Sequence, residues 1–262
     1  MPKVQPELVV ESHGFVRLLR LNRPQSGNAL TVSLRDRLVE EFLSCGSDDG
    51  VRAIVLTGAG DDAFCVGVDL TESMGAEAAG HRYRPPMRRA ERMIFEVIAE
   101  TYKPVIAAIN GRAERGGFEI ALACDIRIAT AASRLGLPEA KLGTGAIFGS
   151  VALPRHLPLG IAMEALFTGD LMTARQAARW GLVNQVVSRQ RLEPVALELA
   201  ARIAANAPIS VQRLKEMAMK GLELPLATAL RLDVGPNPYA SEDRVEGVRA
   251  HLEGRKPEWK GR

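Results

Sequence analysis

Few of the residues on which whole classes of function depend are present in this sequence. Its 262 residues hold three cysteines, Cys45, Cys65 and Cys124, an odd number with no C-x-x-C pair. Such spacing supplies neither a disulfide framework nor a zinc site. The four histidines, His13, His81, His156 and His251, stand far apart and form no metal-spaced pair. No apolar run approaches the length of a membrane span, and Met1-Pro2-Lys3-Val4-Gln5-Pro6 lacks the apolar core of a signal peptide. These absences predict a soluble protein of a reducing, cytoplasmic compartment, with no metal and no membrane partner. Basic and aromatic residues are not interleaved, and the formal charge is only +3. That balance suits an anionic ligand but lacks the clustering that nucleic acid requires. No internal repeat or low-complexity linker is evident.

What is present is ordinary in amount and informative in order. Hydrophobic residues make up 47% of the chain and charged ones 25%, as in a soluble globular enzyme. The length allows one large domain or two small ones. The stretch from Pro104 to Glu139 organises the rest. Val105-Ile106-Ala107-Ala108-Ile109 reads as a buried strand that ends at the Asn110-Gly111 turn. Gly116-Gly117 then leads into Phe118 to Asp125, an Ala-rich apolar run that predicts a buried helix, and Ile126 to Ala129 predicts a second strand. Strand, glycine turn, helix and strand make one βαβ unit.

Glu119 is the exception in that unit, a carboxylate at the start of an otherwise apolar helix. Glutamate is seldom buried unless something pairs with it or uses it. Two readings follow: a favourable charge on a helix N-terminus, or a catalytic group beside free N–H donors. Glu139, also set among apolar residues, favours a site with two carboxylates.

The remainder reads as repeated βα alternation followed by helices. Leu8-Val9-Val10 and Phe15 to Leu21 predict a hairpin, Thr31 caps a helix from Val32 to about Ser44, and Ala53 to Thr57 predicts a parallel strand. Gly58-Ala59-Gly60-Asp61-Asp62-Ala63 fits the G-x-G-x-x-G/A dinucleotide pattern. The pattern must open a helix, however, and here it runs into β-favouring Phe64 to Leu70. Residues 71 to 86 read as a loop, with a basic run from His81 to Arg89, and Ala90 to Ile98 as an amphipathic helix. Helical patterns follow at Ala162 to Phe167, Ala174 to Trp180, Leu192 to Ala205, Ile209 to Leu222 and Ser241 to Glu253, with a short strand at Leu182 to Val187. The expected division is an α/β core over 1–190 and a helical region over 191–262.

Four pieces of this chain, in order, resemble the crotonase (enoyl-CoA hydratase/isomerase) superfamily along nearly its whole length. They are Asn22-Arg23-Pro24 with Asn28-Ala29-Leu30, Phe64 to Leu70, Asn110-Gly111 with Gly116-Gly117-Phe118-Glu119, and Pro138-Glu139-Ala140-Lys141-Leu142-Gly143. The resemblance implies an α/β spiral of ββα/βαβ turns with a helical C-terminal region that trimerises, commonly as a hexamer of paired trimers. It implies an acyl-CoA substrate of fatty-acid metabolism, with no separate cofactor because coenzyme A is part of that substrate. By the same resemblance the backbone N–H groups of Val68 and Gly116 form an oxyanion hole. Glu119 and Glu139 are then the acid–base pair, and Val66, Asp69, Leu70, Gly117 and Phe148 contact substrate. Gly117-Phe118-Glu119, Arg179-Trp180-Gly181 and the ending from Pro257 to Arg262 are similar to the carnitinyl-CoA dehydratase branch.

The implied chemistry is hydration of an enoyl thioester, or its reversal. Two aimed N–H groups stabilise charge on the thioester oxygen, while one glutamate takes a proton from water and the other supplies one. Arg115 stands where the family usually has glycine, and Ile147 and Phe148 stand in a run that is usually small. An isomerase is the nearest alternative, and a non-catalytic RNA-binding relative is an alternative of another class.

Overall fold

The computed structural model describes residues 5–78 and 92–262. It opens on an antiparallel pair, β1 (Leu8–His13) and β2 (Val16–Leu21), and then α1 (Val32–Ser47). Thr31 caps α1, its hydroxyl accepting the Leu34 N–H at 3.0 Å. Leu34, Leu38, Phe42 and Cys45 form the buried stripe of that helix. Next come β3 (Ala53–Gly58), β4 (Ala63–Cys65), α2 (Leu70–Ala78), α3 (Ile94–Glu100), β5 (Val105–Ile109) and β6 (Arg112–Glu114). They are followed by α4 (Gly116–Ala123), β7 (Ile126–Thr130) and β8 (Arg134–Gly136). A 3-10 turn at Pro138–Leu142 leads to α5 (Ile147–His156), α6 (Leu159–Thr168), β9 (Met172–Thr173), α7 (Ala174–Arg179) and β10 (Gln185–Val187). The last helices are α8 (Arg189–Ala204), α9 (Pro208–Gly221), α10 (Leu226–Ala229) and α11 (Glu242–Glu253).

The main sheet has the order β1-β2-β3-β5-β7-β10, parallel except for the first pair. Helices on both faces explain why its central strands read as unbroken apolar runs. Ile54 and Leu56 of β3 face one core layer, whereas Ala53 and Val55 face the other. Val105, Ala107 and Ile109 of β5 divide from Ile106 and Ala108 in the same way. A smaller sheet, β4-β6-β8-β9, branches from the ends of the main strands. The α/β class expected of the chain is the one it adopts, with a helical C-terminal segment.

The structure revises several local readings. Residues 71–86 were expected to form a loop, but Leu70–Ala78 is helix because the Asp69 carboxylate accepts the N–H groups of Thr71 and Glu72. The basic run from His81 to Arg89, and Ala90 of the expected amphipathic helix, lie outside the described residues. The strand expected at Leu182 to Val187 shrinks to Gln185–Val187, because Leu182 and Val183 turn their N–H groups to the Ala177 carbonyl. β4 follows the glycine pattern at 58–63, and no helix opens there. Two amides of the pattern are engaged within the protein, Gly58 donating to Asn110 Oδ1 and Ala59 to the Leu21 carbonyl, and so are not offered to a phosphate. The expected division after residue 190 falls inside α8, whose Leu192, Ala196, Ala200 and Ala204 pack on the second face of the sheet. Among the described residues, no helix is long and apolar enough to cross a membrane.

Candidate active site

Helix α4 places Glu119 in its first turn with the side chain buried. Close approach of α4 to β4 holds it there: a Cβ on Gly117 would stand 2.0 Å from the Cys65 carbonyl oxygen. Glu119 Oε1 accepts the Gly149 N–H at 2.7 Å, and the neighbouring amides of Phe148 and Ile147 also favour its charge. These three N–H groups belong to the first turn of α5, so the carboxyl sits against a second helix N-terminus as well as its own. Burial acts the other way and dominates. Together with the nearby Glu139 charge it pushes the Glu119 carboxyl up to about 7.

Glu139 stands in the 3-10 turn after β8, with 7% of its surface exposed. Burial raises its pKa as well, opposed by its own backbone N–H and by the charge of Arg115. Its Oε2 is buried with no protein hydrogen-bond partner. A buried carboxylate oxygen without a partner is uncommon, and it leaves one acceptor free in the immediate neighbourhood of Glu119. Glu119, held near 7 with a second raised carboxyl close enough to act on it, can take and return a proton near neutral pH.

Two loops meet beside this pair. The first carries Val66, Gly67 and Val68, and the second ends at Arg115 and Gly116. A Cβ on Gly67 would lie 2.8 Å from the Arg115 Cβ and 3.0 Å from the Gly116 nitrogen, so only glycine permits the approach. Among the described residues, neither the Val68 nor the Gly116 N–H is donated to another group. The first loop is held by a parallel bridge, Leu30 N–H to the Gly67 carbonyl at 2.8 Å and Asp69 N–H to the Leu30 carbonyl at 3.0 Å. Arg23 ties the same region by bonding the Ala29 carbonyl and the Asp69 carboxylate. Otherwise unused N–H groups on two closely packed loops near two carboxyls are the kind of donor a developing oxyanion needs.

The remaining expected contacts divide by role. Val66 turns its carbonyl to Arg115 and its side chain toward Gly27. The Asp69 carboxylate is occupied by Arg23, which holds it below the usual carboxylate range, and by the first turn of α2. Leu70 opens α2 and is half exposed. Gly117 serves helix packing, and Phe148 stacks on Phe95 with ring centroids 5.6 Å apart. Phe95 was not singled out in the sequence. It comes within 3.9 Å of a Cβ built on Gly116, which makes it a wall of the site. Its signal was an aromatic lying off the apolar stripe of its helix.

Asn28 and Asn110 were legible only as motif pieces, and both are structural clamps. Asn28 donates to the Ala59 and Ala63 carbonyls, and Asn110 to those of Gly60 and Ala63. They fix the turn between β3 and β4 and so aim the loop that carries Val68. A separate surface hollow, lined by Ile161, Glu164, Thr168, Asp170, Met172 and Trp180, contains none of the candidate site residues.

With this geometry in place, comparison with known proteins is direct. The sequence pattern of the family described as Enoyl-CoA hydratase/isomerase matches residues 11–262. An (E)-benzylidenesuccinyl-CoA hydratase of Thauera aromatica is 37% identical over 258 residues, covering 97% of this chain and 99% of that one. A carnitinyl-CoA dehydratase of Escherichia coli K12 is 38% identical over 257 residues, covering 95% and 97%. The crystal structure of an enoyl-CoA hydratase from Bacillus anthracis superposes with a TM-score of 0.89 at 36% identity, covering 98% of this chain and all of the other.

Proposed function

Because the chain belongs to the enoyl-CoA hydratase/isomerase family, we propose that it is a hydro-lyase for an acyl-CoA thioester. It adds water across an α,β double bond, or removes water from the 3-hydroxyacyl product. The observation that carries this reading is the pair of buried carboxyls, both raised in pKa, beside two unpartnered backbone N–H groups.

The steps balance without any further reagent. The thioester oxygen takes up negative charge as the double bond polarises, and the Val68 and Gly116 N–H groups stabilise it; losing one such donor typically costs about 10²–10³ in rate. The ionised member of the Glu119–Glu139 pair takes a proton from water as the oxygen bonds to the β-carbon. The protonated member gives its proton to the α-carbon. Elimination runs the same transfers backwards. Coenzyme A enters as part of the substrate. The three cysteines are buried and free, which suits the expected reducing compartment.

The test is absorbance of the enoyl thioester over crotonyl, longer enoyl, crotonobetainyl and aromatic CoA esters. Hydration of at least one supports the reading. Double-bond migration without hydration would turn the assignment to an isomerase.

A further inference from the structure

Arg115 adopts a backbone conformation that its residue type avoids. With φ +52° and ψ −133° it sits in a region favourable to glycine, immediately before Gly116. Strain of that kind persists where the surrounding structure over-determines it, and it is concentrated at functional sites. The side chain is partly buried, and its Nε donates to the Val66 carbonyl at 2.9 Å, joining the two loops that carry Val68 and Gly116. That bond fixes where the rest of the guanidinium must lie.

The two terminal nitrogens then have no partner among the described residues. Among the described residues, no carboxylate comes within ion-pair distance of Arg115, and neither Nη makes a hydrogen bond. The nearest acid in sequence, Glu114, is paired with Arg112 instead. Arg17, Arg20 and Arg23, also partly buried, each hold two carboxylates, and buried Arg127 is bonded to three carbonyls. Arg115 thus holds a fixed positive charge, with a free bidentate edge, between the candidate oxyanion loops and close enough to Glu139 to be felt there.

We propose that Arg115 determines substrate specificity by binding a carboxylate on the acyl group of the thioester, so that the preferred substrate is a dicarboxylic acyl-CoA. This rests on the acyl-CoA hydro-lyase reading above. A carboxylate is favoured over the phosphates of coenzyme A by position. The N–H pair fixes the thioester carbonyl, so a group beside that pair and beside Glu139 faces acyl atoms, whereas the phosphates lie beyond the whole pantetheine arm. A planar guanidinium with both terminal nitrogens free matches a carboxylate in two parallel bonds. Arginine in place of strain-free glycine has a purpose if an anion is bound there.

The test compares 4-carboxybut-2-enoyl-CoA with its methyl ester and with crotonyl-CoA, using the full-length protein. The wild type should favour the acid over the ester by roughly 10- to 100-fold in kcat/KM, the range for one charge-assisted pair. Arg115→Gln and Arg115→Gly should abolish that ratio, and Arg115→Lys should restore part of it. The glycine variant guards against misfolding, since it relieves the strain. Equal turnover of acid and ester by the wild type overturns the inference while leaving the hydro-lyase reading intact. A variant that loses all three substrates and free coenzyme A binding in equal measure assigns Arg115 to the phosphates or to loop positioning, and also overturns it. Calorimetric binding of succinyl-CoA against butyryl-CoA gives an answer independent of turnover. Tighter succinyl-CoA binding that vanishes in Arg115→Gln upholds the inference even if no enoyl thioester is hydrated, and equal binding of the two esters rejects it.

Discussion

At the scale of single residues, Glu119 shows how opposing effects set a useful proton affinity. Two helix N-termini favour its charge, yet burial and the Glu139 charge outweigh them and bring the group to about 7. In the unfolded chain the same carboxyl titrates near 4.5. The folded state therefore binds this proton more tightly, a stabilisation fully present below pH 4.5 and lost as pH rises through 7. Glu119→Gln removes the dependence. Its stability relative to wild type should rise between pH 4.5 and 7, by no more than about 3 kcal/mol, in denaturant titrations at each pH. A difference that stays flat with pH would show that Glu119 is not held neutral by its surroundings. The same substitution, and Glu139→Gln, should each lower kcat by roughly 10²-fold or more while acyl-CoA binding is kept. The double variant should lose less than the product of the single losses, because the two groups act as a unit. Near-normal hydration by either single variant would remove the two-glutamate mechanism.

Arg115 carries the second residue-scale expectation. Its strain is a property of φ and ψ, so a variant without Cβ should relax it and one with only Cβ should not. Arg115→Gly should be more stable than Arg115→Ala by roughly 1–3 kcal/mol, measured as a shift in the unfolding midpoint. Equal midpoints would mean the backbone changes conformation when the guanidinium is removed. Nothing in the sequence displays a dihedral angle. What it did display was the anomaly of arginine at a position usually given to glycine.

At the scale of elements, legibility followed the strength of local pattern. The βαβ unit from Pro104 to Glu139 was readable because β5 is continuously apolar, Asn110-Gly111 ends it, and α4 is buried on all sides. Helix α5 was hidden, since Gly145, Gly149 and Pro154 suggest a loop while tertiary contacts impose helix from Ile147. The small sheet was hidden for a different reason. β4, β6 and β8 are three residues each and β9 is two, too short for any periodicity to show. Yet α5 and β4 are what finish the site, the first through the Gly149 N–H and the second by seating α4. Phe148, in the first turn of α5, stacks on Phe95 of α3 beside Gly116. If that pair limits the acyl group, Phe148→Ala should raise kcat/KM for longer or branched enoyl chains relative to crotonyl. An unchanged preference, in a variant that unfolds cooperatively, would place the ring in the core alone.

At the scale of the whole molecule, the C-terminal helices leave apolar surface that the monomer does not cover. Leu214 and Met219 of α9, Leu226 of α10, and Val245, Val248 and Leu252 of α11 are all exposed, with Leu222 and Leu230 between these helices exposed as well. A monomer seldom leaves so many apolar side chains of one segment in water, because burying each one stabilises by roughly 1.5–3 kcal/mol. We propose that these helices join copies of the chain into a trimer, or into a hexamer of two trimers. Sedimentation at micromolar concentration should give about three or six times the 28.3 kDa chain mass. The pair Leu222→Asp and Leu226→Asp should shift the protein toward monomer without loss of helical circular dichroism, since neither side chain lies in the core. A wild-type protein that sediments as a monomer would reject the assembly and leave the exposed leucines to some other partner. The sheet, capped by α8 on its second face, would keep its fold in either case, because its two core layers are closed within one chain.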